Sequence, residues 1–186
     1  YLADCFGLRL LNRRGCFPQF DKFIEQTKDV WTHLVDIRKS FEPRAEELAK
    51  KYALAPYTMF IGSGALWGET ILFSMCILEE MQWKRTRYIT SADFFHGTLE
   101  LVEPGVPVFL FMGEDENRKL DERVRAFLTR GVTGDTDINI IDTAEFAIPG
   151  LDDEFRVIVS PWILSSLITD RLAAYYETVT KHNLKY

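Results

Sequence analysis

Two adjacent carboxylates, Glu79 and Glu80, close an apolar stretch, and a histidine, His96, follows in the string Ser91-Ala92-Asp93-Phe94-Phe95-His96-Gly97. On a helix, Glu80 falls over Phe73, Cys76 and Ile77, whereas Glu79 falls over Leu72, Met75 and Cys76. A carboxyl drawn out of water by such neighbours has a raised pKa and suits general-base work. The alternative is a carboxylate pair reaching solvent at a helix end, and the spacing alone does not choose between Glu79 and Glu80. In the second string Ser91 is placed to cap a short helix and Phe94 and Phe95 to anchor it. An imidazole held that way can move protons near neutral pH or simply bond to backbone. A third feature is Gly62-Ser63-Gly64, with Gly68 beyond, where a strand feeds a helix. Glycines there can aim free N–H groups at an anion. A dinucleotide fingerprint would put the third glycine one residue earlier and an acidic residue after the second strand, a role Asp93 fits poorly.

The elements that must position these groups fall into two textures. Residues 1–55 read as helical: Phe20, Phe23, Ile24, Val30, Trp31, Leu34 and Ile37 follow the helical period from Pro18 to Phe41. Pro43 then starts a shorter helix, Arg44 to Tyr52, and the apolar opening from Leu2 to Leu11 needs a partner surface. From Pro56 strands and helices alternate. The expected strands are Tyr57–Ile61, Tyr88–Thr90, Val106–Met112, Ile138–Ile141 and Arg156–Val159. The expected helices are Ala65–Trp83, a short one near Asp93–Val102, Asn117–Arg130, and one from Trp162 to Thr180; Gly131–Asp137 is a polar loop. The pattern predicts an α/β domain at 56–186, a three-layer α-β-α sandwich with a five-stranded parallel sheet, preceded by a helical arm at 1–55. The helix bearing Glu80 is apolar nearly all round and is expected to be buried over most of its surface.

A formal net charge of −6 argues against a broad nucleic-acid surface, and no apolar run approaches the roughly 20 residues of a membrane span. Cys5, Cys16 and Cys76 show no paired spacing, which fits reduced thiols in a cytoplasm. His33, His96 and His182 lie far apart, without metal-ligand spacing; no metal or cofactor is expected.

Taken together, the strings Leu78-Glu79-Glu80-Met81-Gln82-Trp83, Ser91 through Glu100, and Val102-Glu103-Pro104-Gly105-Val106-Pro107 resemble the sugar-isomerase (SIS) domain family. Within it the chain is most similar to the second SIS domain of fructosamine-6-phosphate deglycases. The match runs from about Tyr57 to Phe127. The separation 96 − 80 = 16 repeats the family's pairing of a helix-end Glu with a later His, and so selects Glu80 over Glu79. Ala92, Asp93 and Thr98 depart from the family's usual Gly, Glu and Pro.

The resemblance implies a cytoplasmic enzyme acting on a sugar phosphate, with Glu80 as proton carrier and His96 assisting ring opening. It also implies a homodimer in which the histidine serves the neighbouring subunit's site. An isomerase or aminotransferase-type enzyme, or a non-catalytic phosphosugar sensor, would be built alike. Residues 1–55 resemble the tail of a first SIS domain plus a linker, and no Ser/Thr-rich phosphate cradle of the S-x-S-G-x-T kind is present. His182-Asn183-Leu184 resembles the start of a tail that closes over the site. The expectation is therefore a C-terminal half, inactive alone. Glu80 lies 80 − 64 = 16 residues beyond Gly64, roughly 24 Å along a helix, so the glycine turn is expected to be structural.

Overall fold

The computed structural model describes residues 1–130 and 136–185. Helices α1 (Leu2–Arg13), α2 (Phe20–Thr27) and α3 (Val30–Tyr52) precede strand β1 (Thr58–Ile61). A short 3-10 turn, helix α4 (Trp67–Ile71) and a π-helical segment, Leu72–Met81, lead to β2 (Thr86–Ile89). Helix α5 (Ser91–Phe94) and a 3-10 turn lead on to β3 (Val108–Met112), α6 (Arg118–Thr129) and β4 (Ile138–Asp142). Helix α7 (Asp153–Leu167), a π-helical segment at Ile168–Leu172 and α8 (Ala173–Thr180) complete the chain.

Four strands form one parallel sheet in the order β2-β1-β3-β4, with Thr58 opposite Thr86 and Val108 opposite Ile138. Strand direction explains the layering. A right-handed crossover from β1 to β2 moves one way across the sheet, and the next, from β2 to β3, moves back, so their connections must cover opposite faces. The side chains obey this. Phe60, Phe109 and Phe111 point into a core shared with Phe73 and Leu78 of the π-helical segment and with α3 and α7. Met59, Ile61, Leu110 and Met112 point the other way, onto Phe94, Val102 and the Val124–Leu128 face of α6.

Three expectations need correction. Arg156–Val159 is not a fifth strand; it lies in α7, where Phe155, Val159 and Ile163 recur at helical spacing and are buried. A short run of β-branched residues reads equally as strand or buried helix, and Asp152, Asp153 and Glu154 favour the helix by placing negative charge at its N-terminus. Arg156 instead reaches from α7 to Glu114, donating from Nε and Nη2 at 2.8 and 2.7 Å. Pro43 does not start a helix, because α3 runs through it. The lost backbone bond is outweighed by burial of Leu34, Ile37 and Phe41 before it and Ala45, Leu48 and Tyr52 after it in one core. The helix expected from Pro18 to Phe41 is also interrupted, between Thr27 and Val30.

The partner surface sought for Leu2–Leu11 is supplied only in part: Cys5 and Leu8 pack against the core, while Leu2, Phe6, Leu10 and Leu11 stay exposed. Of the polar loop at Gly131–Asp137, residues 131–135 lie outside the described residues. The continuous helical run Asp153–Thr180 is long and apolar enough to cross a bilayer by length and composition, although no purely apolar run marked it in the sequence. It packs instead as a core helix, with Ile163, Leu164, Leu167 and Ile168 fully buried against α3 and the sheet.

Candidate functional site

Glu80 sits at the end of the π-helical segment, where the ladder bonds Gln82 N–H to Ile77 C=O at 3.0 Å. Widened turns of this kind are rare and recur at functional sites. The widened turn also changes which side chains stack, and the segment is less enclosed than its composition promised. Phe73, Ser74 and Leu78 are buried, Met75 is exposed, and Cys76 and Ile77 are half-buried. Glu80 is exposed, so the expected burial of this carboxylate is not found. Glu79 is half-buried, and its Oε1 accepts the Thr86 hydroxyl at 2.5 Å. Glu79 thus ties the helix to the edge strand.

The turn after Glu80 is held by the C-terminus. Gln82 is 1% exposed. Its Nε2 donates to the carbonyl of His182 at 2.8 Å, and its Oε1 accepts the Thr180 hydroxyl. Trp83 takes a left-handed backbone, φ 53°, and its ring lies 4.4 Å from the imidazole of His182. Non-glycine residues at such φ values cost energy and persist only where surrounding contacts enforce them. The tail bonds and the ring contact supply that enforcement. Lys84, next along, has its pKa lowered by burial.

His96 is placed by different means. Thr90, not Ser91, caps α5, accepting the Asp93 N–H at 3.1 Å on its hydroxyl and donating that hydroxyl to Asp93 Oδ2 at 2.8 Å. Phe94 and Phe95 anchor the turn as expected, packing on each other and on Phe127. His96 is exposed and donates its backbone N–H to Asp93 C=O at 2.9 Å. Gly97 follows with φ 131°, which a side chain would resist. Phe73 and Leu78, in the segment that carries Glu80, pack on the face of the sheet covered by α3 and α7, whereas Phe94, just before His96, packs on the other face. The elements carrying the pair therefore cover opposite faces of the sheet.

The glycine turn is closed to anions by its own neighbours. Asp115 Oδ2 accepts the N–H of Ala65 at 2.5 Å, occupying the position an anion would take. A Cβ on Gly64, at φ +55°, would lie 2.0 Å from that same oxygen. The turn is thus a structural clasp between the loops that follow β1 and β3.

A buried network beside it escaped the sequence reading. Ser91 donates its hydroxyl to Asp121 Oδ1 at 2.5 Å and its N–H to Ser63 Oγ at 2.7 Å, while Gly113 N–H reaches Asp121 Oδ2 at 3.3 Å. Burial pushes the Asp121 pKa up to about 6 against these donors. One signal was available: Asp121 falls in register with Val124 and Leu128 on the buried face of α6. Gln82 and Thr180 were also missed, and no local pattern marks a pair joined across 98 residues.

No family model matches the chain. It is 27% identical over 164 residues to the fructosamine deglycase of Bacillus subtilis, an alignment covering 88% of this chain and 48% of that protein. To the fructoselysine 6-phosphate deglycase of Escherichia coli it is 29% identical over 149 residues, covering 79% and 43%. Among solved structures, one from Bacillus subtilis assigned as a phosphosugar isomerase superposes with a TM-score of 0.86 at 25% identity, covering 95% of this chain and 52% of that one. One from Salmonella typhimurium with the same assignment gives 0.85 at 25% identity, over 96% and 54%. Fold and relatives define the class: the chain is a homologue of the fructosamine and fructoselysine 6-phosphate deglycases, built on the α/β fold of phosphosugar isomerases. It spans about half the length of the curated relatives it matches.

Proposed function

We propose that the chain is the C-terminal half of a cytoplasmic phosphosugar deglycase that converts fructosamine 6-phosphates to glucose 6-phosphate and a free amine. On this reading 1–55 links to a first domain carrying the phosphate cradle, and 56–186 is the second sugar-isomerase domain. His96 assists opening of the sugar ring. Glu80 then takes a proton from C1 of the open ketoamine, giving an enaminol, and returns a proton to C2, leaving an imine at C1. Water adds to the imine and the amine leaves. Each step is a positioned proton transfer or hydration.

The observation that carries the reading is the similarity to two named deglycases over most of the chain, with Glu80 exposed at a braced helix end. The placement of their elements on opposite faces of the sheet favours a homodimer in which each site takes Glu80 from one chain and His96 from the other. The solved neighbours assigned as phosphosugar isomerases favour a second reading, in which the same proton transfer interconverts an aldose and a ketose phosphate without an amine. Supplying the full-length protein with fructoselysine 6-phosphate and measuring glucose 6-phosphate and lysine separates the two. Release of both products supports the deglycase; conversion of fructose 6-phosphate alone supports the isomerase.

A further inference from the structure

Helix α5 is four residues long, too short to hold its shape in water by its own backbone bonds. His96 follows it by two residues, on an exposed turn that Gly97 ends. The place of the imidazole is therefore set by what α5 packs on, and that is α6. At the end of α5 the contacts are made by rings. Phe94 and Phe95 lie 5.8 and 5.7 Å from Phe127, and the Arg123 guanidinium stands 4.2 Å over Phe95. At its start the contact is polar. Thr90 takes the capping role, which leaves the Ser91 hydroxyl to Asp121 Oδ1 and the Ser91 N–H to Ser63 Oγ.

Apolar packing is non-directional, whereas a hydrogen bond to a carboxylate is short and fixes an angle. Ser91 and Asp121 are each 1% exposed, so water does not compete for this bond. Asp121 is also an unfavourable residue for its position. Burial raises its pKa, and an apolar side chain in register with Val124 and Leu128 would join α6 to the sheet without that penalty. What an apolar side chain could not do is accept from Ser91 on one oxygen and from Gly113 on the other, fixing α5 against the loop after β3.

We infer that Asp121, acting through Ser91, is a positioning residue for His96: it sets the orientation of α5 and so the point at which the imidazole is presented. The role of His96 in this link rests on the proposed deglycase function; the link itself does not.

Kinetics of the full-length protein and amide exchange in the 186-residue chain test it together. Ser91→Ala removes one hydroxyl and keeps the backbone bond to Ser63. It should lower kcat by about tenfold or more with KM unchanged, in protein shown to be folded by its melting transition. A packing defect alone would reduce the folded fraction and leave the kcat of folded protein as it was. Asp121→Ala should act alike, and the double variant should fall no further than the slower single one, since both remove the same link. In the 186-residue chain, Ser91→Ala should speed exchange of the Phe94 and His96 amides, bonded to Thr90 and Asp93, by about tenfold relative to those of Ile163 and Leu164. Should Asp121→Ala fail to fold, Ser91→Ala decides alone. A parent protein that turns over no fructosamine 6-phosphate overturns the deglycase reading, while faster exchange still supports the link. Unchanged exchange, unchanged kcat, or losses that multiply in the double variant would overturn the inference.

Discussion

Thr86 donates its hydroxyl to Glu79 at 2.5 Å, which gives one of two neighbouring carboxylates that sequence spacing left equivalent a place in the fold. Glu79 joins the π-helical segment to the first residue of the edge strand; Glu80, one residue on, is exposed. Glu79→Ala should therefore lower stability by about 1 kcal/mol and leave most of the turnover of the full-length protein. On the proposed function, Glu80→Gln should reduce turnover by about 10²-fold or more while the chain stays folded. Denaturant titration and a glucose 6-phosphate assay on both variants check the division. The reverse pattern would return the choice to Glu79.

Gln82 is the second member of that turn, and it holds the tail. Removing its side chain takes away the donor to the His182 carbonyl and the acceptor of the Thr180 O–H, leaving Thr180 Oγ1 only the His182 N–H at 3.2 Å. Gln82→Ala should cost about 1–3 kcal/mol and free the residues after Thr180. Trypsin should then cut at Lys181 or Lys185 faster than in the parent chain, with the domain core intact. Equal cutting rates would show that the tail is held by other contacts.

Asp121 gives the fold a pH dependence whose sign can be worked out. Its folded-state pKa, about 6, lies above the unfolded value of about 3.8, so the folded chain binds the proton more tightly. This contribution is fully present below about pH 4 and is lost as the pH rises to about 6, at most on the order of 3 kcal/mol. Asp142 acts in the opposite sense: against the cost of burial, its bonds from Arg118 lower its pKa. Asp121→Asn isolates the first effect. The melting temperature of the variant relative to the parent should climb between pH 4 and pH 6 and level off above. A constant difference across that range would contradict the account.

Much of the architecture was legible because buried parallel strands leave a plain signature. Residues 59–61 and 108–112 are apolar throughout, and the structure shows why: successive side chains feed two separate cores. The strand read at Arg156–Val159 failed because Val157, Ile158 and Val159 satisfy either period over so short a run. The acidic residues Asp152, Asp153 and Glu154, which suit a helix N-terminus, were the better guide. Pro43 misled for a tertiary reason, since nothing local reveals that both halves of α3 meet one core. The resemblance selected Glu80; the bond from Thr86 to Glu79 was not legible in the spacing. What spacing could not disclose is that 16 residues of chain carry the path from one face of the sheet to the other. That follows from strand order, and strand order is set by long-range packing.

We propose that Glu80 and His96 act together from two chains, and subunit complementation tests this most directly. In the full-length protein, Glu80→Gln and His96→Ala should each be nearly inactive alone. Unfolded and refolded together in equal amounts, they should recover about a quarter of the parent rate, because half of randomly paired dimers are mixed and each mixed dimer holds one intact site. A mixture as inactive as its components, with mixed dimers demonstrated by differential tagging, would place both residues in a single chain's site and contradict the account.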